Sequence, residues 1–207
     1  MSDKPIIIAI CGKSASGKDS LAQSLYEDFC KEKINANLIV QDCTRPPRVN
    51  EVNGKSYNFM TAIQFLDKAC KRQYLEYAEF KGWYYGTPKS SVREGVVNIG
   101  VFNAQGIKKL ASRQDDYFII PIYLSLGVVK RLRRSWKREG KFHWEFIRRA
   151  FVDYKDFKDI PFCLAHKYPH SLKLDAGRDV LQNVASIKKN LWAELFLIKI
   201  GILVNSL

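Results

Sequence analysis

The chain has little of several features that mark common protein classes. Its 207 residues contain five cysteines, an odd number with no Cys-x-x-Cys pair and no zinc-ligand spacing. This disfavours a disulfide-stabilised secreted domain and a cysteine zinc site, and it predicts reduced thiols in a cytoplasmic protein. Repeats and low-complexity stretches are also lacking, which disfavours a solenoid or a long disordered linker. The cysteines are Cys11, Cys30, Cys43, Cys70 and Cys163.

Long uninterrupted apolar segments are scarce as well. Residues 2–5 lead directly into the first apolar run, without the pattern of a secretory signal peptide. Residues 191–205 are apolar, but Glu194, Lys199 and Gly201 interrupt them, which makes a poor membrane span. We therefore expect no membrane association. We expect the C-terminal residues to pack on the domain or to form an oligomer contact, and the oligomeric state stays open.

Acidic side chains are few relative to basic ones. The chain has 21 Asp and Glu against 34 Lys and Arg, a net charge of +13. A charge of this size predicts an anionic partner, either a nucleic acid or a polyanionic small molecule. The excess is concentrated in residues 130–149, where Glu139 and Glu145 are the acidic side chains. The basic ones there are Lys130, Arg131, Arg133, Arg134, Lys137, Arg138, Lys141, Arg148 and Arg149.

A phosphate-binding motif is present near the N-terminus. The apolar run 6–10 is followed by Gly12-x4-Gly17-Lys18 and then by an amphipathic stretch, which is the strand, loop and helix of a P-loop. The glycines let backbone N–H groups converge on phosphate oxygens, and Lys18 adds a positive charge. We expect this loop to bind phosphate groups. Its residues are Gly12, Lys13, Ser14, Ala15, Ser16, Gly17, Lys18, Asp19 and Ser20.

One position departs from the usual P-loop. The lysine is normally followed by Ser or Thr, whose hydroxyl reaches Mg²⁺, but here Asp19 follows it and Ser20 comes next. A carboxylate is a stronger ligand for a hard cation than a hydroxyl. Asp19 is therefore either a Mg²⁺ ligand, which we favour, or an acidic residue that stabilises the positive end of the helix dipole.

The order of apolar and amphipathic segments predicts an α/β fold. Strands alternate with helices after the P-loop, which indicates a parallel sheet covered on both faces, with ligands at the carboxyl ends of its strands. The length suits one compact domain with inserted subdomains. We expect strands near 5–10, 36–40, 74–87, 96–102, 117–124 and 171–174, a loop at 41–58, and helices near 18–32, 61–72, 89–94, 104–113, 127–138, 144–157 and from 178.

Two further segments, 44–59 and 75–87, have a composition suited to a nucleotide. Arg45 and Arg48 flank a proline pair that stiffens the loop, and two guanidinium groups at fixed spacing suit a phosphate monoester. Glu76 offers a bidentate acceptor for a purine edge that carries N–H donors. Tyrosine hydroxyls add further donors: Tyr57, Tyr84 and Tyr85.

Together with the P-loop, these segments resemble the guanylate kinase family. That family has a P-loop of the form G-P-S-G-x-G-K-S/T-T/S, a TTRxPRxGExxGxxY segment, an EYAxxxGxxYGT segment and a D-x-Q-G turn. The similarity runs over most of residues 5–190. The matching stretches are Gly12 to Ser20, Cys43 to Tyr57, Glu76 to Thr87 and Asn103 to Gly106.

The resemblance implies a P-loop three-layer fold with a parallel sheet, an inserted subdomain that binds the acceptor nucleotide, and a basic helical lid. It implies the reaction ATP + NMP → ADP + NDP with Mg²⁺, and small-molecule nucleotides as partners. In this chain the core would comprise 1–40, 89–128 and 158–190, the acceptor subdomain 41–88, the lid 129–157 and a C-terminal extension 191–207.

The resemblance also assigns roles to individual residues. Lys18 and two lid arginines would neutralise the transferring phosphoryl group. Arg149 fits the second lid helix best, while Arg134 competes with Arg131 and Arg138 for the first. The acceptor's phosphate would be held by Arg45, Arg48, Tyr57 and Tyr85, and its base by Gln41, Glu76, Thr87 and Asn103.

The departures from the family pattern concern mainly the base and the metal. Gln41 replaces a small polar residue, Asn103 replaces an aspartate, and Val101 stands where an aspartate helps to order the metal's water shell. The phosphate-binding residues are retained. GMP or dGMP is therefore the default acceptor, and a modified deoxynucleotide or a hydroxyl on DNA is the alternative. A non-catalytic interaction module is disfavoured, because Lys18 and the basic segment are both present.

Overall fold

The computed structural model describes residues 4–48, 51–80, 82–139 and 144–191. Its centre is a five-stranded parallel sheet with the strand order β2-β7-β1-β8-β9. These strands are β1 (Ile6–Cys11), β2 (Ala36–Leu38), β7 (Val97–Phe102), β8 (Phe118–Ser125) and β9 (Leu172–Asp175).

Helices cover both faces of this sheet, because strand β1 is apolar at every position and alternates its side chains between the faces. Ile8 and Ile10 pack with α1 and with the final helix α7. Ile7 and Ala9 pack on the other face with α3 and α6. The helices are α1 (Lys18–Lys31), α3 (Ala104–Leu110), α6 (Ile160–Lys167) and α7, which covers 180–191. The predicted three-layer architecture is confirmed.

A second, four-stranded sheet has the order β4-β3-β6-β5 and carries helix α2. Thr61 begins α2 with a capping box in which Thr61 and Gln64 bond each other's backbone N–H groups. Phe65 of α2 stacks on Tyr74 and Tyr84 of the sheet, with ring centroids 4.5 and 5.4 Å away. The elements are β3 (Asp42–Cys43), β4 (Asn58–Phe59), α2 (Ala62–Cys70), β5 (Tyr74–Phe80) and β6 (Trp83–Pro88).

One buried carboxylate links most of these elements. Asp42 of β3 is fully buried and accepts hydrogen bonds from the amide of Asn58 (2.9 Å), the ammonium of Lys68 (2.8 Å) and the hydroxyl of Tyr74 (2.8 Å). Its donors come from β4, α2 and β5. Since a buried charge is costly without such partners, this network requires all four elements to be in place together.

Two further helices contain the basic segment and lie over the carboxyl end of β1. They are α4 (Val128–Glu139) and α5 (Trp144–Asp156). Among the described residues, none of the helices combines the length and the apolar character needed to cross a bilayer. The C-terminal residues 192–207, for which we expected a packing or oligomer contact, lie outside the described part of the chain.

Two expectations about local structure were wrong, and one helix was missed. The helix near 89–94 is only a 3₁₀ turn, Lys89–Ser91, because the side chain of Asn98 bonds both the N–H and the C=O of Arg93 and holds that residue in a loop. The loop at 41–58 contains the short strand β3. Helix α6 was not predicted, because it is short and offers only the buried pair Ile160 and Leu164 as a periodic signal.

Candidate active site

The P-loop connects β1 to α1 through backbone conformations that need small residues. Gly12 and Gly17 have φ of 153° and 94°, and Ala15 has φ of 58°. A Cβ added to Gly12 would lie 2.5 Å from the carbonyl oxygen of Leu124 in β8, so no larger residue fits there without moving the backbone. The loop is therefore fixed against the central sheet at its first residue.

Lys18 lies within this loop and contacts its backbone. Its Nζ donates to the carbonyl oxygens of Gly12 (2.9 Å) and Lys13 (3.2 Å). Burial lowers the pKa of Lys18, and the carboxylates of Asp19 and Asp153 oppose that shift. The hydroxyl of Ser16 is buried and has no hydrogen-bond partner among the described residues. An ammonium and an unpartnered hydroxyl at one loop are suited to a phosphate group.

A cavity of about 450 Å³, the central cavity, extends from the P-loop to the four-stranded sheet. Its wall includes Lys18 and Asp19 on one side, Arg48 and Tyr57 on another, and residues of α5 on a third. Donor-site and acceptor-site residues predicted from separate motifs therefore face the same space. Phe80 and Trp83 also line it, which the sequence analysis did not predict, although aromatic side chains are frequent in ligand cavities.

The predicted metal ligand Asp19 is exposed in the first turn of α1 and lines the central cavity, as does Val101. The described residues contain no cluster of three His, Cys, Asp or Glu side chains that could hold a metal on its own. Mg²⁺ at a kinase site is typically bound through one or two carboxylates, substrate phosphates and water. A single exposed carboxylate next to the P-loop lysine fits that arrangement.

The two predicted phosphate-binding arginines have different surroundings. Arg45 is buried, donates to both carboxylate oxygens of Glu51 (2.6 and 2.7 Å) and lies over the rings of Tyr57 and Phe59. Its Nε is buried without a partner among the described residues. Arg48 is exposed and lines the cavity, while its backbone N–H donates to Glu51 (2.8 Å). Glu51 thus orients both arginines.

The two predicted tyrosines complete this side of the cavity. Tyr57 and Tyr85 contact each other edge to face, with centroids 6.0 Å apart, and both line the central cavity. Burial raises the pKa of Tyr57, and it raises the pKa of Tyr85 to about 12. Both hydroxyls are therefore protonated at neutral pH and can donate hydrogen bonds to an anion.

The predicted base-contacting residues form a chain of hydrogen bonds. The hydroxyl of Thr87 donates to Glu76 Oε1 (2.7 Å), and Nε2 of Gln41 donates to Thr87 (2.8 Å) and to Glu76 (3.5 Å). Burial raises the pKa of Glu76 to about 7. Gln41 lines the described cavity wall, whereas Glu76 and Thr87 do not. Gln41 therefore lies between the cavity and the two residues that the family pattern assigns to the base.

Asn103 lines the same cavity with a defined amide orientation. Its Oδ1 accepts the backbone N–H of Gly106 at 2.7 Å. One lone pair of this oxygen is therefore engaged, and the NH₂ group is a donor that Asn103 can offer to a ligand, where an aspartate could only accept. A Cβ on Gly106 would lie 2.9 Å from Glu76 Oε2, which explains a glycine at that position.

The candidate lid arginines have different surroundings. Arg134 donates to the backbone carbonyls of Ser16 (3.1 Å) and Ala176 (2.8 Å), and it is not part of the described cavity wall. Arg131 is buried against Asp153. Arg148, which directly precedes the favoured Arg149 in the sequence, lines the central cavity. The side chains of Arg138 and Arg149 lie outside the described residues.

Asp153 of α5 is a site residue that the sequence analysis missed. Its carboxylate accepts hydrogen bonds from the N–H (2.8 Å) and the hydroxyl (3.1 Å) of Ser14 in the P-loop, and it lines the central cavity. An acidic residue shortly after a basic segment was the available signal, and by itself it did not distinguish this contact from an exposed charge.

Comparison with known proteins is consistent with this geometry. The family model described as guanylate kinase matches residues 2–153. The guanylate kinase of Clostridium tetani is 30% identical over 195 residues, covering 89% of this chain and 86% of that protein. The guanylate kinase of Rickettsia bellii is 35% identical over 193 residues, covering 89% and 94%.

A solved structure shares the fold. The crystal structure of guanylate kinase from Anaplasma phagocytophilum superposes with a TM-score of 0.66 at 24% identity, over 94% of this chain and 89% of that one. The family match covers well over half of the chain, and curated relatives of at least 30% identity extend across most of their own length. The chain belongs to the guanylate kinase family.

Proposed function

We propose that the protein transfers the γ-phosphoryl group of ATP to a nucleoside monophosphate, with GMP or dGMP as the default acceptor. The observation that carries this proposal is that the P-loop lysine and the Arg48–Tyr57 group face one cavity of about 450 Å³. Phosphoryl transfer depends mainly on positioning and charge neutralisation, so two anion-binding groups across one cavity are its main structural requirement.

The residues can be given parts in this reaction. The donor's triphosphate would lie on the P-loop, where Lys18, the Ser16 hydroxyl and the first turn of α1 offer positive charge and donors. The acceptor's phosphate would lie on Arg45, Arg48, Tyr57 and Tyr85. Arg148 is the described lid arginine that lines the central cavity, and Arg149 is the candidate that the family pattern favours. Residues 41–88 would act as the acceptor subdomain and 129–157 as the lid.

Mg²⁺ is part of this proposal. When bound, it would neutralise charge on the donor's phosphate oxygens, and Asp19 is the residue that would hold it, directly or through water. Val101 lines the same cavity as Asp19 and stands where the family pattern has a carboxylate, and Asp19 would supply that missing charge from α1.

We expect Asp19→Asn to lower kcat and to shift the Mg²⁺ dependence of turnover to higher concentration, because the amide keeps the size and loses the charge. The Michaelis constant for the acceptor should change little. The measurement is a Mg²⁺ titration of ADP release. Asp115→Asn, an exposed aspartate before β8, is the matched control. Superimposable titrations for Asp19→Asn and the wild type would leave Asp19 with a helix-stabilising role only.

We expect Asn103→Asp to shift acceptor preference toward GMP or dGMP by roughly fivefold, since one hydrogen bond to the guanine amino group is worth about 1 kcal/mol. The new carboxylate can still accept the N–H of Gly106 with one oxygen and present the other to the base. The measurement is kcat/KM in a coupled ADP-release screen over all NMPs and dNMPs. Asn190→Asp on α7 is the control. A wild type strictly specific for GMP, with a silent Asn103→Asp, would remove Asn103 from base recognition.

A change of acceptor is the second candidate. It is favoured by the base side of the cavity, where Gln41 covers Glu76 and Thr87 and Asn103 offers a donor. The same screen decides between the two candidates. DNA belongs in the screen because of the net charge of +13, and binding that weakens steeply with salt would indicate a nucleic-acid partner.

A further inference from the structure

A buried ion pair joins the P-loop to the two basic helices. Asp153 of α5 and Arg131 of α4 are 2% and 5% exposed, and an Arg131 guanidinium nitrogen lies 3.0 Å from Asp153 Oδ2. The same nitrogen is 3.4 Å from the carbonyl oxygen of Ser14. The Asp153 carboxylate receives both the N–H and the hydroxyl of Ser14. The Arg131 guanidinium of α4 and the Asp153 carboxylate of α5 therefore both contact Ser14 of the P-loop.

This contact, the Asp153 anchor, should persist when a nucleotide binds, because Asp153 does not merely occupy the place of a phosphate. Removing one partner of a buried ion pair leaves an uncompensated charge and is strongly destabilising. A nucleotide phosphate could displace Asp153 from Ser14 only by leaving Asp153 beside a second anion or by separating it from Arg131. We therefore expect the carboxylate to stay in place while the donor's phosphates bind the other groups of the loop.

The anchor also fixes a cavity-lining arginine. Arg148 lies five residues before Asp153 on α5, about 7.5 Å along the helix axis, and it lines the central cavity. A helix held at Asp153 against the P-loop keeps Arg148 at a set distance from any phosphate bound there. Misplacement of such a group by about 1 Å can lower a rate by about 10².

We propose that Asp153 is a positioning residue for phosphoryl transfer: it fixes α5 and Arg131 to Ser14 of the P-loop and thereby holds Arg148 over the transferring phosphoryl group. This inference rests on the proposed function for its kinetic part. The residues assigned to the acceptor's phosphate lie in the segment 41–88, and this contact does not involve them.

The first experiment measures kinetics of Asp153→Asn at a temperature where circular dichroism shows the variant fully folded. We expect kcat to fall roughly 10–100-fold, while the Michaelis constant for the acceptor changes by less than about twofold. Asp156→Asn, which removes the same charge from the same helix, should keep near-wild-type kcat. An unchanged kcat in Asp153→Asn, or an equal loss in Asp156→Asn, would overturn the proposal.

A double-mutant cycle separates positioning from a purely structural role. If Asp153 acts through Arg148, then Asp153→Asn combined with Arg148→Gln should be no slower than Arg148→Gln alone. Independent structural damage would instead multiply the two losses, and that result would contradict the proposal.

A third measurement does not depend on activity. Hydrogen exchange of the nucleotide-free protein should show the Ser14 amide protected in the wild type and exchanging at least about tenfold faster in Asp153→Asn, with β1 unaffected. If the wild type phosphorylates no nucleotide but this difference appears, the proposed function fails and the anchor stands. If the difference is absent, the inference fails whatever the activity.

Discussion

Lys18→Ala is expected to lower turnover by roughly 10²–10³-fold or more, because the enzyme loses the ammonium that neutralises charge on the transferring phosphoryl group. The fold should be retained. The Lys18 ammonium donates only to the P-loop carbonyls of Gly12 and Lys13 in the described structure, and the apolar clusters on both faces of the sheet do not involve it. Turnover is measured by ADP release, and the fold by circular dichroism and thermal unfolding.

The neighbouring lysine provides the control for this variant. Lys13 is in the same loop, but its ammonium lies over the ring of Tyr154, 5.2 Å from the centroid. Lys13→Ala should therefore reduce turnover far less than Lys18→Ala. Full activity in Lys18→Ala would refute the assignment of this loop as the ATP site.

Arg48→Ala is expected to raise the Michaelis constant for the acceptor nucleotide roughly 30–150-fold, with little change for ATP. Loss of a charge-assisted bidentate contact to a phosphate costs about 2–3 kcal/mol, which corresponds to that range. Arg48 is exposed, and its backbone N–H can still bond Glu51 after the change, so the loop keeps its shape. Initial rates with each substrate varied in turn give the two constants.

Arg48 is a better test of the acceptor site than Arg45. Removing Arg45 would also leave Glu51 unpaired and expose the rings of Tyr57 and Phe59, so stability and binding would change together. Arg113→Ala removes the same charge from the turn before β8, away from the carboxyl ends of the strands, and should be silent. Equal effects of Arg48→Ala on both substrates would contradict the acceptor-site assignment.

The elements that sequence reasoning predicted correctly carry local signals. Strand β1 is a run of isoleucines, Gly12 and Gly17 mark the turn, and Thr61 and Gln64 form a capping box before α2. Each of these patterns determines structure within a few residues. The bounds of β1, α1 and α2 therefore came within two residues of those observed.

What could not be predicted depends on contacts between distant segments. Asp153 and Ser14 are 139 residues apart, and nothing in either local sequence indicates that they bond. Gln41 was identified as unusual for the family, but its position in front of Glu76 and Thr87 follows from the pairing of β6 with both β3 and β5. Tertiary placement decides which polar side chain faces the cavity, and composition alone does not.

The hydrogen bonds of Asp42 restrict how the elements of the four-stranded sheet, the small sheet, can move relative to one another. A carboxylate that holds β4, α2 and β5 at once cannot tolerate bending between them, because any relative displacement would break a buried charged hydrogen bond. If the two sheets change their relative position when a nucleotide binds, we therefore expect the small sheet to move as one body relative to the large sheet. Arg48 and Tyr57 would then move with the small sheet, and the size of the displacement would be set by the connecting segments near residues 39–42 and 88–97.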